Sequence, residues 1–172
     1  MTERNRQFIL NGRPARLDAP DNAVLADVLR DAHGLFGCRI GCDQAVCGAC
    51  TVMVDGMPMA ACSTFAFEVE GRSVLTIEGL GSEGVGGEGG PPDPVQRAFI
   101  EERGFQCGYC TAGMILTTRA LLDRNLDPDE AEIRSWLGAA VCRCTGYSAI
   151  LSAVRTAARL RRENTPNPEA GA

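Results

Sequence analysis

The chain has 172 residues, 45% of them hydrophobic and 23% charged, the composition of a globular protein with one large or two small domains. A net charge of −5, with no basic stripe interleaved with aromatics, excludes nonspecific binding to nucleic acid. The N-terminus MTERNRQFIL lacks the apolar run of a signal peptide and no stretch reaches membrane-spanning length, so no membrane insertion and a cytoplasmic location are expected.

In chain order, Arg6-Gln7-Phe8-Ile9-Leu10 reads as a strand ending in Asn11-Gly12, a strong hairpin signal. Asp21 or Asn22 is placed to cap a helix whose Val24, Leu25, Val28, Leu29 and Ala32 share one face, closed by Gly34. Residues 37–50, rich in glycine and cysteine and without periodicity, read as a loop. Thr51-Val52-Met53-Val54 is a predicted strand, Asp55-Gly56 a second hairpin turn, and Val74-Leu75-Thr76-Ile77 a further strand. Strands around one helix predict a small α+β domain over residues 1–80. Residues 81–93, GSEGVGGEGGPPD, read as a linker.

Past the linker the period becomes helical. Asp93 caps and Pro94 opens a helix to Arg103, stopped by Gly104; a second spans about Thr111 to Asp123. Asp127-Pro128-Asp129-Glu130 resembles a capping box for a third helix ending at Leu137, and a fourth runs from about Tyr147 to Arg162. This predicts an all-α domain over 94–163 and a disordered Pro/Gly/Ala-rich tail over 164–172.

Cysteine is the outlier, with nine, at 38, 42, 47, 50, 62, 107, 110, 142 and 144. An odd number in tight groups without a secretory signal argues for metal rather than disulfides. Cys42-x4-Cys47-x2-Cys50, with Cys62 after eleven intervening residues, is the spacing of plant-type [2Fe–2S] ferredoxins. Four thiolates and two sulfides around two ferric ions form an anionic cluster that needs backbone N–H donors close to its sulfurs. Gly41, Gly48, Ala45 and Ala49 allow that approach. A four-thiolate zinc site is the bland alternative, but zinc knuckles come as two C-x-x-C pairs and this group has one. Cys38, outside the pattern, reads as a free, buried cysteine.

The second group is Cys107-x2-Cys110 and Cys142-x-Cys144. Each pair lies just before a predicted helix, so two helix N-termini can face one anionic centre. Spacing alone leaves a redox dithiol or half a zinc site open. The helix preceding the first pair and the presence of a second pair favour a second cluster.

At these residues the sequence resembles a known family. GCDQAVCGACTV (41–52) with Cys62, QCGYCTAGMI (106–115) and CRCTGYSAI (142–150) are similar to the small iron–sulfur subunits of the molybdenum hydroxylases, which include xanthine dehydrogenase, aldehyde oxidoreductase and aerobic carbon monoxide dehydrogenase. The likeness runs from about residue 5 to 160, in the family's order. It implies a plant-type ferredoxin-like β-grasp domain followed by a four-helix domain. It implies that Cys42, Cys47, Cys50 and Cys62 ligate a cluster nearer flavin, and Cys107, Cys110, Cys142 and Cys144 one nearer molybdenum. Gln106 and Cys144 would lie against a pterin held by a large partner subunit. Molybdopterin, as the cytosine dinucleotide, and FAD are expected on large and medium partner subunits, and the chain would be the electron-relay subunit of that oxidoreductase, with no substrate-converting centre of its own. A free-standing [2Fe–2S] carrier is the alternative, though it gives the helical domain no purpose. Ala45 and Ala139-Ala140 depart from the common pattern of glycine and Gly-Asn, and the 81–93 loop is longer than usual; none touches a ligand position.

Among isolated residues, His33 is expected to cap a helix or lie at the surface, and Trp136 and Phe99 to be core. Arg155, Arg159 and Arg162 would form a solvated helix face. Without its partners, the chain should expose apolar side chains near the second cluster.

Overall fold

Both predicted hairpins form, for the reason their sequences suggest. Asn11 and Gly12 take φ of 51° and 81°, and Asp55 and Gly56 take 49° and 78°, the left-handed pairs that a tight two-residue turn requires. Around them β1 (Gln7–Leu10) pairs with β2 (Arg13–Arg16), and β3 (Thr51–Val54) with β4 (Met57–Ala60), both antiparallel. This computed structural model describes residues 6–81 and 91–164. The short β5 (Ser73–Leu75) joins the hairpins, parallel to β1 and antiparallel to β3, giving the order β2-β1-β5-β3-β4. The result is a mixed sheet with several helices, an α+β fold.

The helix predicted from Asp21 or Asn22 is much shorter. Helix α1 spans Leu25–Asp27 and continues as a π turn over Val28–Ala32; Val24 occupies the N-cap without a side-chain cap bond. Val24 instead bridges to Phe65, so tertiary pairing claims the residue that periodicity assigned to the helix. Leu25, Val28 and Leu29 are buried as expected, whereas Ala32 is exposed. His33 caps the end of this turn as expected, its N–H donating to Val28 O at 3.3 Å, but its side chain turns inward: Nε2 is buried without a hydrogen-bond partner among the described residues, and the ring meets Phe8 edge-on at 5.7 Å.

The helical half follows its capping signals. Asp93 accepts from Val95 N at 2.8 Å while Gln96 accepts from Asp93 N at 3.0 Å, a reciprocal box that opens α2 (Pro94–Glu101). This helix ends before Arg103, which takes a φ of 53°. Then come α3 (Thr111–Arg124), α4 (Glu130–Leu137) and α5 (Ser148–Asn164). Asp129, not Asp127, caps α4, accepting from Glu132 N at 2.8 Å. Phe99 is core, but Trp136 is only partly buried, its ring covered by the Arg124 guanidinium at 5.7 Å. Arg159 and Arg162 form exposed ion pairs with Glu163 and Asp127, and Arg155 pairs with Glu130, as a solvated face should.

Two hydrophobic cores result, one under the sheet and one among the helices, and β3 serves both. Its alternation sends Val52 and Val54 into the first core and Met53 into the second, so every residue of the strand is buried. Leu75 and Ile77 also pack against the helical core. A polar strut ties the sheet to the cysteine-rich loop: buried Asn11 accepts from Thr76 N at 2.8 Å, the Thr76 hydroxyl donates to Glu78 at 2.6 Å, and Glu78 accepts from Gly37 N at 2.7 Å. Among the described residues no helix is long and apolar enough to cross a membrane. Most of the 81–93 linker reading and the tail reading after Asn164 lie outside the described residues.

Candidate metal centres

The loop between α1 and β3 wraps around the sulfur of Cys42. Asp43 and Ala45 take φ of 56° and 55°, and these left-handed residues turn successive N–H groups inward. Gln44, Val46 and Cys47 donate to Cys42 Sγ at 3.4, 3.3 and 3.3 Å, and Ala45 N reaches Cys62 Sγ at 3.4 Å. Cys62 arrives on a single turn, Ala61–Ser63, immediately after β4. The β3–β4 hairpin returns it beside Cys50, where Ala61 N donates to Cys50 O at 3.3 Å. The four thiols therefore sit as two pairs, Cys42 with Cys47 and Cys50 with Cys62.

Their electrostatics differ by pair. The N–H groups of Cys47, Val46 and Gln44 pull the Cys42 thiol down to about 6, whereas burial pushes Cys50 up to about 11. Cys42 thus offers a thiolate at neutral pH, and Cys50 ionises only when a cation compensates it.

The second quartet has the same two-pair form. Cys107 and Cys144, both exposed, bring their sulfurs to 3.6 Å, and Cys110 faces Cys142 beneath them. Burial pushes Cys110 up to about 12. At Cys142 burial acts the same way, but the Thr145 hydroxyl and N–H outweigh it and hold the thiol below its usual range. The Tyr109 N–H likewise lowers Cys107. Cys110 is the N-cap of α3, as the sequence suggests. The donors that reach sulfur, however, are the loop amides of Tyr109 (3.5 Å) and Thr145 (3.4 Å), which precede the helices, rather than first-turn helical amides.

The two loops are stapled together. Val141 N donates to Cys47 O at 2.9 Å, so one backbone hydrogen bond joins a residue of the first quartet to the neighbour of Cys142. Tyr109 donates its hydroxyl to Ile40 O at 2.8 Å, and Arg39 donates to Gly108 O while lying over the Tyr109 ring at 5.5 Å. Gly113, in the first turn of α3, lies against the Gly48 carbonyl, and Gly48, at φ 68°, lies against Ala139 and Ala140. Motif and spacing rules register none of these contacts; an isolated glycine in a helical pattern, as at Gly113, is the one available signal.

All nine cysteines are free, and the donor sets fit binuclear iron–sulfur clusters. Soft thiolates in two pairs, with amides turned toward their sulfurs, are what a two-iron anionic cluster needs. Four-thiolate zinc sites are usually built from two C-x-x-C pairs, and each quartet here supplies only one, Cys47-x2-Cys50 and Cys107-x2-Cys110. Cys38 is buried, pushed up to about 12 by that burial, and hydrogen-bonds to Cys50 O at 3.6 Å. Gln106 is exposed beside Cys107, and Phe105, Tyr109 and Val141 expose apolar surface around the second quartet.

The comparisons with known proteins agree with this chemistry. Residues 21–85 match a 2Fe-2S iron-sulfur cluster binding domain and residues 76–155 a [2Fe-2S] binding domain. The chain is 44% identical over 154 residues to a nicotinate dehydrogenase subunit from Pseudomonas putida, covering 90% of this chain and 94% of that one. It is 42% identical to the nicotinate dehydrogenase small FeS subunit of Eubacterium barkeri, covering 86% and 90%. Among solved structures, quinoline 2-oxidoreductase from Pseudomonas putida 86 superposes with a TM-score of 0.83 at 39% identity, covering 92% of this chain and 96% of that chain. These sequence and fold likenesses agree, and the chain belongs to the small [2Fe–2S] iron–sulfur subunits of the molybdenum hydroxylase family.

Proposed function

We infer that this chain is the electron-transfer subunit of a multi-subunit molybdenum hydroxylase, relaying electrons singly between a molybdopterin centre and FAD or an external acceptor. The observation that carries the reading is the pair of cysteine quartets, each in two-pair form, stapled to one another by the Cys47–Val141 hydrogen bond. Cys42, Cys47, Cys50 and Cys62 would hold the first cluster, and Cys107, Cys110, Cys142 and Cys144 the second. Each cluster, when bound, accepts and returns one electron at a time. This chain's own residues supply thiolates, aim amides at them, and keep the inner pairs away from water.

The arrangement we favour is a β-grasp ferredoxin-like domain over 1–80 and a four-helix domain over 94–163. The exposed Cys107, Cys144 and Gln106, with Phe105, Tyr109 and Val141 around them, support this face as the one that meets a large pterin-binding subunit. Molybdopterin as the cytosine dinucleotide would belong to that subunit, and FAD to a medium one. In the aldehyde oxidoreductase of Megalodesulfovibrio gigas, the region this chain matches is only 17% of a longer chain. A cytoplasmic setting suits reduced thiols.

Metal analysis tests the relay directly. The anaerobically purified complex should contain about four irons and about four acid-labile sulfides per copy of this chain, with two distinguishable EPR signals on reduction. Zinc in place of iron would overturn the reading. Gln106→Ala should leave both signals in place yet slow substrate-driven reduction of the second cluster about tenfold, the equivalent of one lost hydrogen bond. Stopped-flow spectroscopy measures this, and an unchanged rate would remove Gln106 from the pterin contact.

A further inference from the structure

We propose that Thr145 is a positioning residue that sets the reduction potential of the second cluster through Cys142, with Tyr147 holding it in place. The inference rests on the ligand assignment above, in which Cys142 holds that cluster. Thr145 gives Cys142 Sγ two donors, its hydroxyl at 3.1 Å and its amide at 3.4 Å. Among the described residues no other sulfur of this quartet receives a side-chain hydroxyl.

The orientation of that hydroxyl follows from hydrogen counting. A threonine hydroxyl has one proton and two lone pairs. Tyr147 N donates to Thr145 Oγ1 at 3.2 Å, which occupies a lone pair and leaves the single proton for sulfur. Tyr147 in turn sits at a φ of 69°, a left-handed conformation that is strained for a non-glycine residue. Its phenol compensates: the oxygen accepts from Cys142 N at 2.8 Å and donates to Ala140 O at 2.9 Å. Cys142, Thr145 and Tyr147 therefore form a closed ring of hydrogen bonds, with the ligand's backbone fixed by one member and its sulfur by the other.

The direction of the effect is a matter of charge. A reduced cluster carries one more negative charge than an oxidised one, so a donor to its thiolate stabilises the reduced form more. Cys142 and Thr145 are half-buried, unlike the exposed Cys107 and Cys144, so water replaces their bond poorly. Losing the hydroxyl makes the second cluster harder to reduce, and the first cluster, which Thr145 does not touch, keeps its potential.

The test is an anaerobic redox titration of the purified complex, following the EPR signal of each cluster. Thr145→Val, which keeps the shape and removes the O–H, should weaken reduction of the second cluster about tenfold, a fall of about 59 mV for one electron. Thr145→Ser should restore the wild-type value. In a cycle with Tyr147→Phe the two shifts should be less than additive, because both act through Cys142. A shift below about threefold for Thr145→Val, or no recovery with serine, overturns the proposal. So does loss of the second cluster from both Thr145→Val and Thr145→Ala with the first intact, which would make Thr145 an assembly residue. Failure of the ligand assignment looks different: the wild-type complex would lack a second iron–sulfur signal, or the Thr145 variants would move the first.

Discussion

Replacing Gly113 by alanine is expected to destabilise the protein by about 3 kcal/mol, against the usual gain of about 1 kcal/mol for that change within a helix. The reversal comes from what lies opposite. Gly113 occupies the first turn of α3, and a Cβ there would run into the Gly48 carbonyl oxygen, an atom of the first cysteine loop. Neither side can yield cheaply. Gly48 is held at φ 68° with Ala139 and Ala140 packed against it, and Thr51 Oγ1 donates to that same carbonyl at 2.8 Å. Alanine must therefore push α3 away from the loop, straining the Cys47–Val141 and Tyr109–Ile40 hydrogen bonds. The expected outcome is a lower denaturation midpoint together with weaker magnetic interaction between the two reduced clusters. Thermal unfolding and EPR measure the two effects on one sample. Gly138→Ala is the control, since a Cβ at Gly138 meets only the last turn of its own helix at ordinary or slightly tight distances. A stable Gly113→Ala variant with unaltered cluster interaction would show that the two loops are not rigidly joined.

The reach of the sequence into this structure follows the range of each interaction. Hairpin turns at Asn11-Gly12 and Asp55-Gly56, the Asp93 box and the starts of α3 and α4 depend on neighbouring residues, and spacing foretells them. The grouping of the cysteines is also legible, because Cys42-x4-Cys47-x2-Cys50, Cys107-x2-Cys110 and Cys142-x-Cys144 are spacings within single loops. Long-range pairing is not. Val24 abandons the helix that its period suggests in order to bridge Phe65, and β5 finds β1 only across about sixty residues of chain. The division of each quartet into two pairs is hidden for the same reason: Cys62 meets Cys50, and Cys144 meets Cys107, only after the hairpin and the helices have formed. Arg39 and Tyr109 look like incidental residues beside cysteines, and only the fold makes them a clasp.

Cys47→Ser should remove the first cluster while leaving the second, with iron falling from about four to about two per chain and one EPR signal vanishing. Serine offers a hard oxygen in place of a soft thiolate, and Cys47 shares its pair with Cys42, the thiol that the surrounding amides already hold near 6. With its partner gone, Cys42 cannot retain one side of the cluster alone. Cys50, up at about 11, would then stay protonated, and it lies with Cys62 among apolar side chains, a state that needs no metal. The second quartet is built wholly from residues of the helical half, and the hydrogen bond that ties its loop to Cys47, from Val141 N, uses a backbone carbonyl that the substitution preserves. Its signal should persist, with electron delivery through the complex stopping at that point: substrate reduces the second cluster, and reduction of the terminal acceptor falls by at least about a hundredfold because the outer carrier is missing. Rapid-mixing absorbance separates the two steps. Simultaneous loss of both signals would mean that the sheet half must bind iron before the helical half can, making the joined loops a folding unit as well as a conduit.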